Sequence, residues 1–305
     1  MLLREVDYAR PATVDEAIAL LAEHDGARPL AGGQTLVNVM KARAASPDVL
    51  VDLAELEELR SIGFGSDGRL EIGAMVTYAQ LVSSSEVDVA RPILGEVAAT
   101  IADVQVRNRG TIGGNVCVND PTNHLPPLLV ALDAHFTIRG ADGERTVDAS
   151  DFFQGVYLTA VGVGELLTKV SVPPAVSGTG DGFAAVTIGK HGTCIVDAAA
   201  SISDEGGVGS TEPLESRGAG FADARAGAVR VVLGCVAPTP VRATTMEEGL
   251  AGAELSEAVV RGASEGLGAT LDPPSDVHGS ADYRRALAET LAVRAVLQAA
   301  SRRTA

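Results

Sequence analysis

The chain has 305 residues, 46% of them hydrophobic, and 40 acidic against 24 basic side chains give a formal net charge of −16. That length suffices for two domains with a sizeable core. The negative field repels phosphate backbones and argues against nucleic acid as a partner, and no apolar run reaches the ~18 residues that a membrane span needs. The opening residues, MLLREVDYARPAT, carry charge at Arg4, Glu5 and Asp7, so no signal peptide is expected and the protein is read as cytoplasmic.

Thr13, followed three residues later by Glu16, forms a capping-box pattern that opens a helix. Val14, Ala17, Ile18 and Leu21 give that helix an apolar stripe, and Gly26 ends it. ARPLA reads as a short strand, AGGQTL as a glycine turn, VNVMKARAA as a candidate short helix, and DVLVDLA as a strand buried on both faces. The first 55 residues thus form a small α/β unit. Two alternating runs around Ser66-Asp67-Gly68 predict a hairpin. The formal G-x-G-x-x-G of residues 63–68 lies inside it; a strand rather than a helix follows, so it reads as a turn and not as a dinucleotide fingerprint.

ARPILGEVAATIADVQ predicts one helix, HLPPLLVALDA another, and HFTIRGADGERTVDAS and GELLTKVSVPP predict strands. Pro173-Pro174 and the AVSGTGDG after them mark a linker. The expected domains are 1–175, divided into a small subdomain 1–55 and a larger mixed one 56–175, and 176–305. The last part holds two strand patterns, IVDAAASISD and AVRVVLGCVAP, either side of a polar Gly/Ser/Glu-rich segment read as a loop. The helices ELSEAVVRGASEGL and SADYRRALAETLAVRAVLQAA then close the chain. The acidic runs DLAELEEL and TMEEGL read as solvated faces. Cys117, Cys194 and Cys235 form no C-x-x-C pair, so they read as buried thiols, and neither a zinc site nor an iron–sulfur cluster is expected from this chain.

Two glycine turns stand out: Ala31, Gly32, Gly33, Gln34, Thr35 and Leu36, and Thr111, Ile112, Gly113, Gly114 and Asn115. Glycine lets backbone N–H groups approach an anion closely, and Thr35, Thr111 and Asn115 add side-chain donors. Converging, two such turns could hold a pyrophosphate without any Lys or Arg; read singly, each is an ordinary tight turn.

AGGQTLVNVMKARAASPDVLVDL, LEIGAMVTYAQL and QVRNRGTIGGNVCVNDPTNHLPPLLVALDA resemble the FAD-binding subunit of the xanthine dehydrogenase family, in the form of the medium subunit of carbon monoxide dehydrogenase and related molybdenum hydroxylases. VAPTPVRA and GSADYRRALAETL are similar to that subunit's C-terminal domain. The resemblance implies an α+β fold: a FAD-binding domain of the p-cresol methylhydroxylase-like type, built from two subdomains, and a C-terminal α+β domain. It implies that both glycine turns bind FAD, with Ala102 along the cofactor, Asp120 in the D-P step and Leu167 near the isoalloxazine. It further implies a small iron–sulfur subunit and a large molybdenum subunit as partners, in a dimer of heterotrimers. The chain then transfers electrons and needs no catalytic acid or base. The alternative is a stand-alone flavin-dependent oxidoreductase of the same fold.

Three departures from the family pattern stand out. His124 replaces an acidic residue, and is expected either to bond the ribose or adenine or to face solvent. The segment TIGKHGTC lacks the family's aromatic beside the flavin, which leaves Lys190 as its fixed cation and a candidate stabiliser of reduced flavin. The loop at 204–227 is long.

Overall fold

The computed structural model describes residues 3–189, 192–204 and 225–303. The chain divides into two compact units, Met1–Asp120 with Asp133–Pro173, and Pro121–Leu132 with Pro174–Ala305.

The first unit opens with β1 (Asp7–Ala9), α1 (Val14–Glu23), β2 (Ala27–Leu30), α2 (Leu36–Lys41) and β3 (Val49–Asp52). The strands form a parallel sheet in the order β1-β3-β2. Thr13 caps α1 by accepting the N–H of Glu16, and α1 buries Val14, Ala17, Ile18 and Leu21, the stripe its spacing predicts. β3 is central, and Val49, Leu50 and Val51 are all buried. A continuous apolar strand is what a parallel sheet requires at its centre.

β4 (Ile62–Phe64) and β5 (Leu70–Gly73) pair antiparallel, so residues 63–68 do form a hairpin turn. Next come α3 (Tyr78–Ser83), α4 (Ser85–Ala90), α5 (Pro92–Thr100), α6 (Val104–Arg107) and α7 (Ile112–Val118). The single helix expected over 90–105 is corrected: α5 ends at Thr100. Ile101 is extended, Ala102 is left-handed at φ 45°, and the Asp103 carboxylate starts α6 afresh by accepting the N–H of Val106.

Helix α8 (Leu125–Ala131) leaves this unit for the second one. The chain then returns with β6 (His135–Gly140), β7 (Gly143–Asp148), α9 (Ala149–Phe152), β8 (Phe153–Gly155), β9 (Leu158–Thr159) and β10 (Leu166–Val172). A mixed-length antiparallel sheet runs β4-β5-β10-β6-β7. Phe136 stacks on Phe152 beneath it, ring centroids 4.1 Å apart.

In the second unit, β11 (Gly180–Thr187), β12 (Cys194–Asp204), β13 (Ala226–Gly234) and β14 (Val241–Arg242) form an antiparallel sheet in sequence order, followed by α10 (Thr244–Leu250), α11 (Glu257–Ser264) and α12 (Ala281–Ser301). Helix α12 packs on β11 and β12, while α8 packs on β12 and β13. All seven residues of α8 are buried.

The solvated face expected for TMEEGL is also corrected. Met246, Glu247 and Leu250 point inward from α10, and Glu247 is only 6% exposed. Its carboxylate accepts the N–H of Val231 at 2.8 Å and pairs with Arg242 at 2.6 Å. Glu247→Ala strands the Val231 N–H and should lower stability by about 1–3 kcal/mol. Glu248→Ala, on the exposed side, should cost less than about 0.5 kcal/mol. Urea midpoints of the two variants test this.

Candidate cofactor site

The first glycine turn follows β2 and leads into α2. Gly33 is left-handed at φ 72°, a conformation a branched residue resists. A Cβ on Gly32 would land on the Arg109 carbonyl oxygen, so only glycine lets these two segments touch. Among the described residues, the backbone N–H groups of Gly32, Gly33, Gln34 and Thr35 donate to no other protein group. The Thr35 side chain does not cap α2. Four neighbouring amides at the entry to α2 are thus left without a protein acceptor, as the first turn of a helix leaves its N–H groups, and are available to an anion.

Gly32, Gly33 and Gln34 line a cleft of about 310 Å³ whose wall also contains Ala31, Asn38, Lys41, Asp52 and Arg109, and Thr35 follows at its edge in the chain. Lys41 and Arg109 are cations that the sequence reading missed, since it expected an anion to be held without Lys or Arg. The available signal was RNRG immediately before the second glycine turn. Asp52 accepts the Tyr8 hydroxyl and the N–H of Ala54.

The second turn lies close by. A Cβ on Gly114 would lie 2.9 Å from the Thr111 hydroxyl and 3.8 Å from the Cβ of Ala31 in the first turn. Its amides, however, are already engaged. Ile112 donates to the Val76 carbonyl at 2.9 Å, Gly113 to Ala74 at 2.9 Å, Gly114 to the Thr111 hydroxyl at 3.0 Å, and Asn115 to the Thr111 carbonyl at 3.0 Å. The two turns are therefore unequal: the first offers free donors, and the second is a braced wall. Gly113 is required by packing, because a Cβ there would lie 2.6 Å from that of Ala74. Asn115 donates through Nδ2 to the Tyr78 hydroxyl at 2.9 Å, and burial pushes the Tyr78 pKa up to about 12, so Tyr78 is a core residue carrying a hydrogen bond.

The remaining candidates are dispersed. Ala102 sits in the left-handed break before α6, its carbonyl accepting Arg107 Nη1 at 2.7 Å. The Asp120 carboxylate accepts the Tyr157 hydroxyl at 3.1 Å. Leu167 is a buried side chain on β10 at a register shift against β6. Lys190, and most of the loop at 204–227, lie outside the described residues.

His124 does not face solvent. It is 8% exposed, its Nδ1 lies 2.6 Å from Asp197 Oδ2, and the Phe183 ring meets it edge-on at 5.3 Å. Asp197 is fully buried on β12, and that burial raises its pKa against the opposing pull of His124. Cys194 lies beside the pair, so the ligating atoms of His124, Cys194 and Asp197 all fall within 4.8 Å of one another. Nothing in their sequence spacing announces this cluster. Among the described residues, no helix is long and apolar enough to cross a membrane.

An α+β chain with a glycine-lined cleft in its first unit is the class that fold and site define. Residues 4–175 match the family described as the FAD binding domain in molybdopterin dehydrogenase, and residues 218–299 match the CO dehydrogenase flavoprotein C-terminal domain. The chain belongs to this family. It is 35% identical to the carbon monoxide dehydrogenase medium chain of Hydrogenophaga pseudoflava, covering 97% of each. It is 33% identical to the nicotine 6-hydroxylase medium subunit of Paenarthrobacter nicotinovorans, covering 99% of this chain and 100% of that one. Among solved structures, it matches carbon monoxide dehydrogenase from H. pseudoflava with a TM-score of 0.90 at 35% identity, covering 100% of both chains. It also matches quinoline 2-oxidoreductase from Pseudomonas putida 86 with a TM-score of 0.87 at 34% identity, covering 99% of both.

The packing demand at Gly113 gives a direct test. Gly113→Ala should destabilise the first unit by about 1–3 kcal/mol through overpacking, whereas Gly63→Ala, which meets nothing within 4 Å, should be close to neutral. Thermal unfolding of the two variants distinguishes them.

Proposed function

We propose that the chain is the FAD-binding, electron-transfer subunit of a multi-subunit molybdenum hydroxylase that works in the cytoplasm. It takes electrons from a small iron–sulfur subunit and passes them to an external acceptor, while a large molybdenum subunit oxidises the substrate. The assembly is a dimer of such heterotrimers. Family membership supports this reading. The relatives are named as medium chains or medium subunits, which favours it over a stand-alone flavoenzyme.

The observation that carries the proposal is the set of four unpaired amides at Gly32, Gly33, Gln34 and Thr35, beside Lys41 and Arg109. A diphosphate suits this cradle: it is anionic, rich in acceptors and small enough for a glycine-lined wall. Each amide-to-phosphate bond contributes about 1.5–3 kcal/mol, because the acceptor is charged. In this reading Ala31 to Leu36 grip the diphosphate, and Thr111 to Asn115 form the rigid face it rests against. Ala102, Asp120 and Leu167 line the extended path of the cofactor, through backbone in the case of Leu167. When bound, FAD supplies the redox chemistry; the chain's residues bind it, orient it and exclude water.

Gly33→Val should reduce FAD affinity at least ~100-fold, the equivalent of losing about two charge-assisted bonds. Gly114→Val should also lose flavin, because its Cβ would strike the Thr111 hydroxyl that caps α7 and displace the second turn. Flavin absorbance after reconstitution and desalting measures both, with circular dichroism to check the fold. Full occupancy in both variants would contradict the diphosphate assignment.

A further inference from the structure

The cluster in the second unit is not used by the proposed function. Asp197 and Cys194 come from the start of β12, His124 from the residue before α8, and Cys235 from the residue after β13. The cluster has three notable properties. Its members are all buried, with exposures of 0% for Asp197, 2% for Cys194, 4% for Cys235 and 8% for His124. They combine a carboxylate, an imidazole and two thiols, the side chains that bind a borderline-soft divalent cation. And Asp197 Oδ1, fully buried, makes no hydrogen bond of ordinary geometry.

That last property needs a physical reason. The Gly234 backbone N–H and the Cys194 thiol approach this carboxylate, but neither reaches Oδ1 in good geometry, so a fully buried charged oxygen is left under-satisfied. The second oxygen of Asp197 is already occupied by His124. The surroundings hold Oδ1 where it is. Its seat lies over Gly234, where a Cβ would strike it, and the ring of Pro127 closes the same space. Gly234 pairs directly with Asp197 in the sheet.

The neighbouring backbone is equally fixed. Cys235 adopts a left-handed conformation at φ 64°, which a non-glycine residue holds only when its surroundings enforce it. Arg284 supplies that enforcement. Its Nη1 donates to the carbonyls of Ile195 and, at 3.4 Å, Cys235, while Nη2 pairs with Asp276 at 2.8 Å. The Cys194 thiol is within hydrogen-bonding reach of both Cys235 and Asp197. The two cysteines, far apart in sequence, are thereby held together at one end of the sheet.

We propose that His124, Cys194 and Asp197, with Cys235 beside Cys194 as the fourth ligand that closes in on binding, form a buried binding site for a divalent cation of the zinc(II) class. Tetrahedral zinc with bonds of about 2.0–2.3 Å sets its ligand atoms about 3.3–3.8 Å apart. The present spread, within 4.8 Å for His124, Cys194 and Asp197, contracts to that on binding. The His124–Asp197 pair, now at 2.6 Å, opens by less than 1 Å. The cation would take up Asp197 Oδ1 or its partner oxygen and displace the thiol protons. The site ties α8 to β12 and β13, so its role is structural and separate from electron transfer.

Metal binding by the purified full chain tests this, with zinc(II) and cobalt(II) alone as the probes. After growth with added zinc and dialysis against metal-free buffer, about one zinc per chain is expected by elemental analysis. Exchange for cobalt(II) should produce a near-ultraviolet thiolate-to-metal band and the visible absorption of tetrahedral cobalt. Cys194→Ser and Cys235→Ser should each abolish or strongly weaken the thiolate band, and Cys117→Ser should not. Wild-type chain that gives no thiolate band with cobalt overturns the proposal, as does a band that survives both Cys194→Ser and Cys235→Ser. The wild-type spectrum decides even if a variant fails to fold, and flavin content, read separately, keeps the outcome independent of the FAD assignment.

Discussion

The first unit depends on the close approach of Gly32 to the carbonyl of Arg109. No side chain larger than hydrogen fits between them. This contact fixes the turn after β2 against the segment before α7, and so brings the two glycine motifs to one place. The turn is held against Arg109 by steric fit, and its own N–H groups donate to no other described protein group.

The second motif does different work with similar residues. Its N–H groups are spent on Val76, Ala74 and Thr111. Glycine at position 113 serves close packing on Ala74. Two sequence motifs that look alike therefore differ in their donors: those of the first are free of protein acceptors, and those of the second are engaged. A mobile anion cradle would lose affinity to the entropy of ordering itself; a braced wall avoids that cost.

Much of the fold was legible in the sequence because its determinants are local. The Thr13 cap, the α1 stripe, the apolar β3 and the Ser66-Asp67-Gly68 turn each act over a few residues, and each appears where spacing predicts. The features that escaped the sequence are set by distant partners. Arg109 lines the cleft because Gly32 admits its backbone. Glu247 is buried because α10 turns it toward the Val231 N–H. Helix α5 stops early because Ala102 takes a left-handed conformation that composition does not signal. His124 looked solvent-facing or cofactor-facing from its neighbours alone, and only the fold reveals Asp197 beside it. The family resemblance located the candidate turns, but it did not distinguish free amides from engaged ones.

Amide hydrogen exchange with and without FAD tests the central claim most directly. The four N–H groups of Gly32, Gly33, Gln34 and Thr35 should exchange fast in the FAD-free chain and slow markedly when FAD is added. The amides of Ile112, Gly113, Gly114 and Asn115 should be protected in both states. Fast exchange at residues 32–35 that FAD leaves unchanged would contradict the account, because the donors it assigns to the diphosphate would then still be open to water.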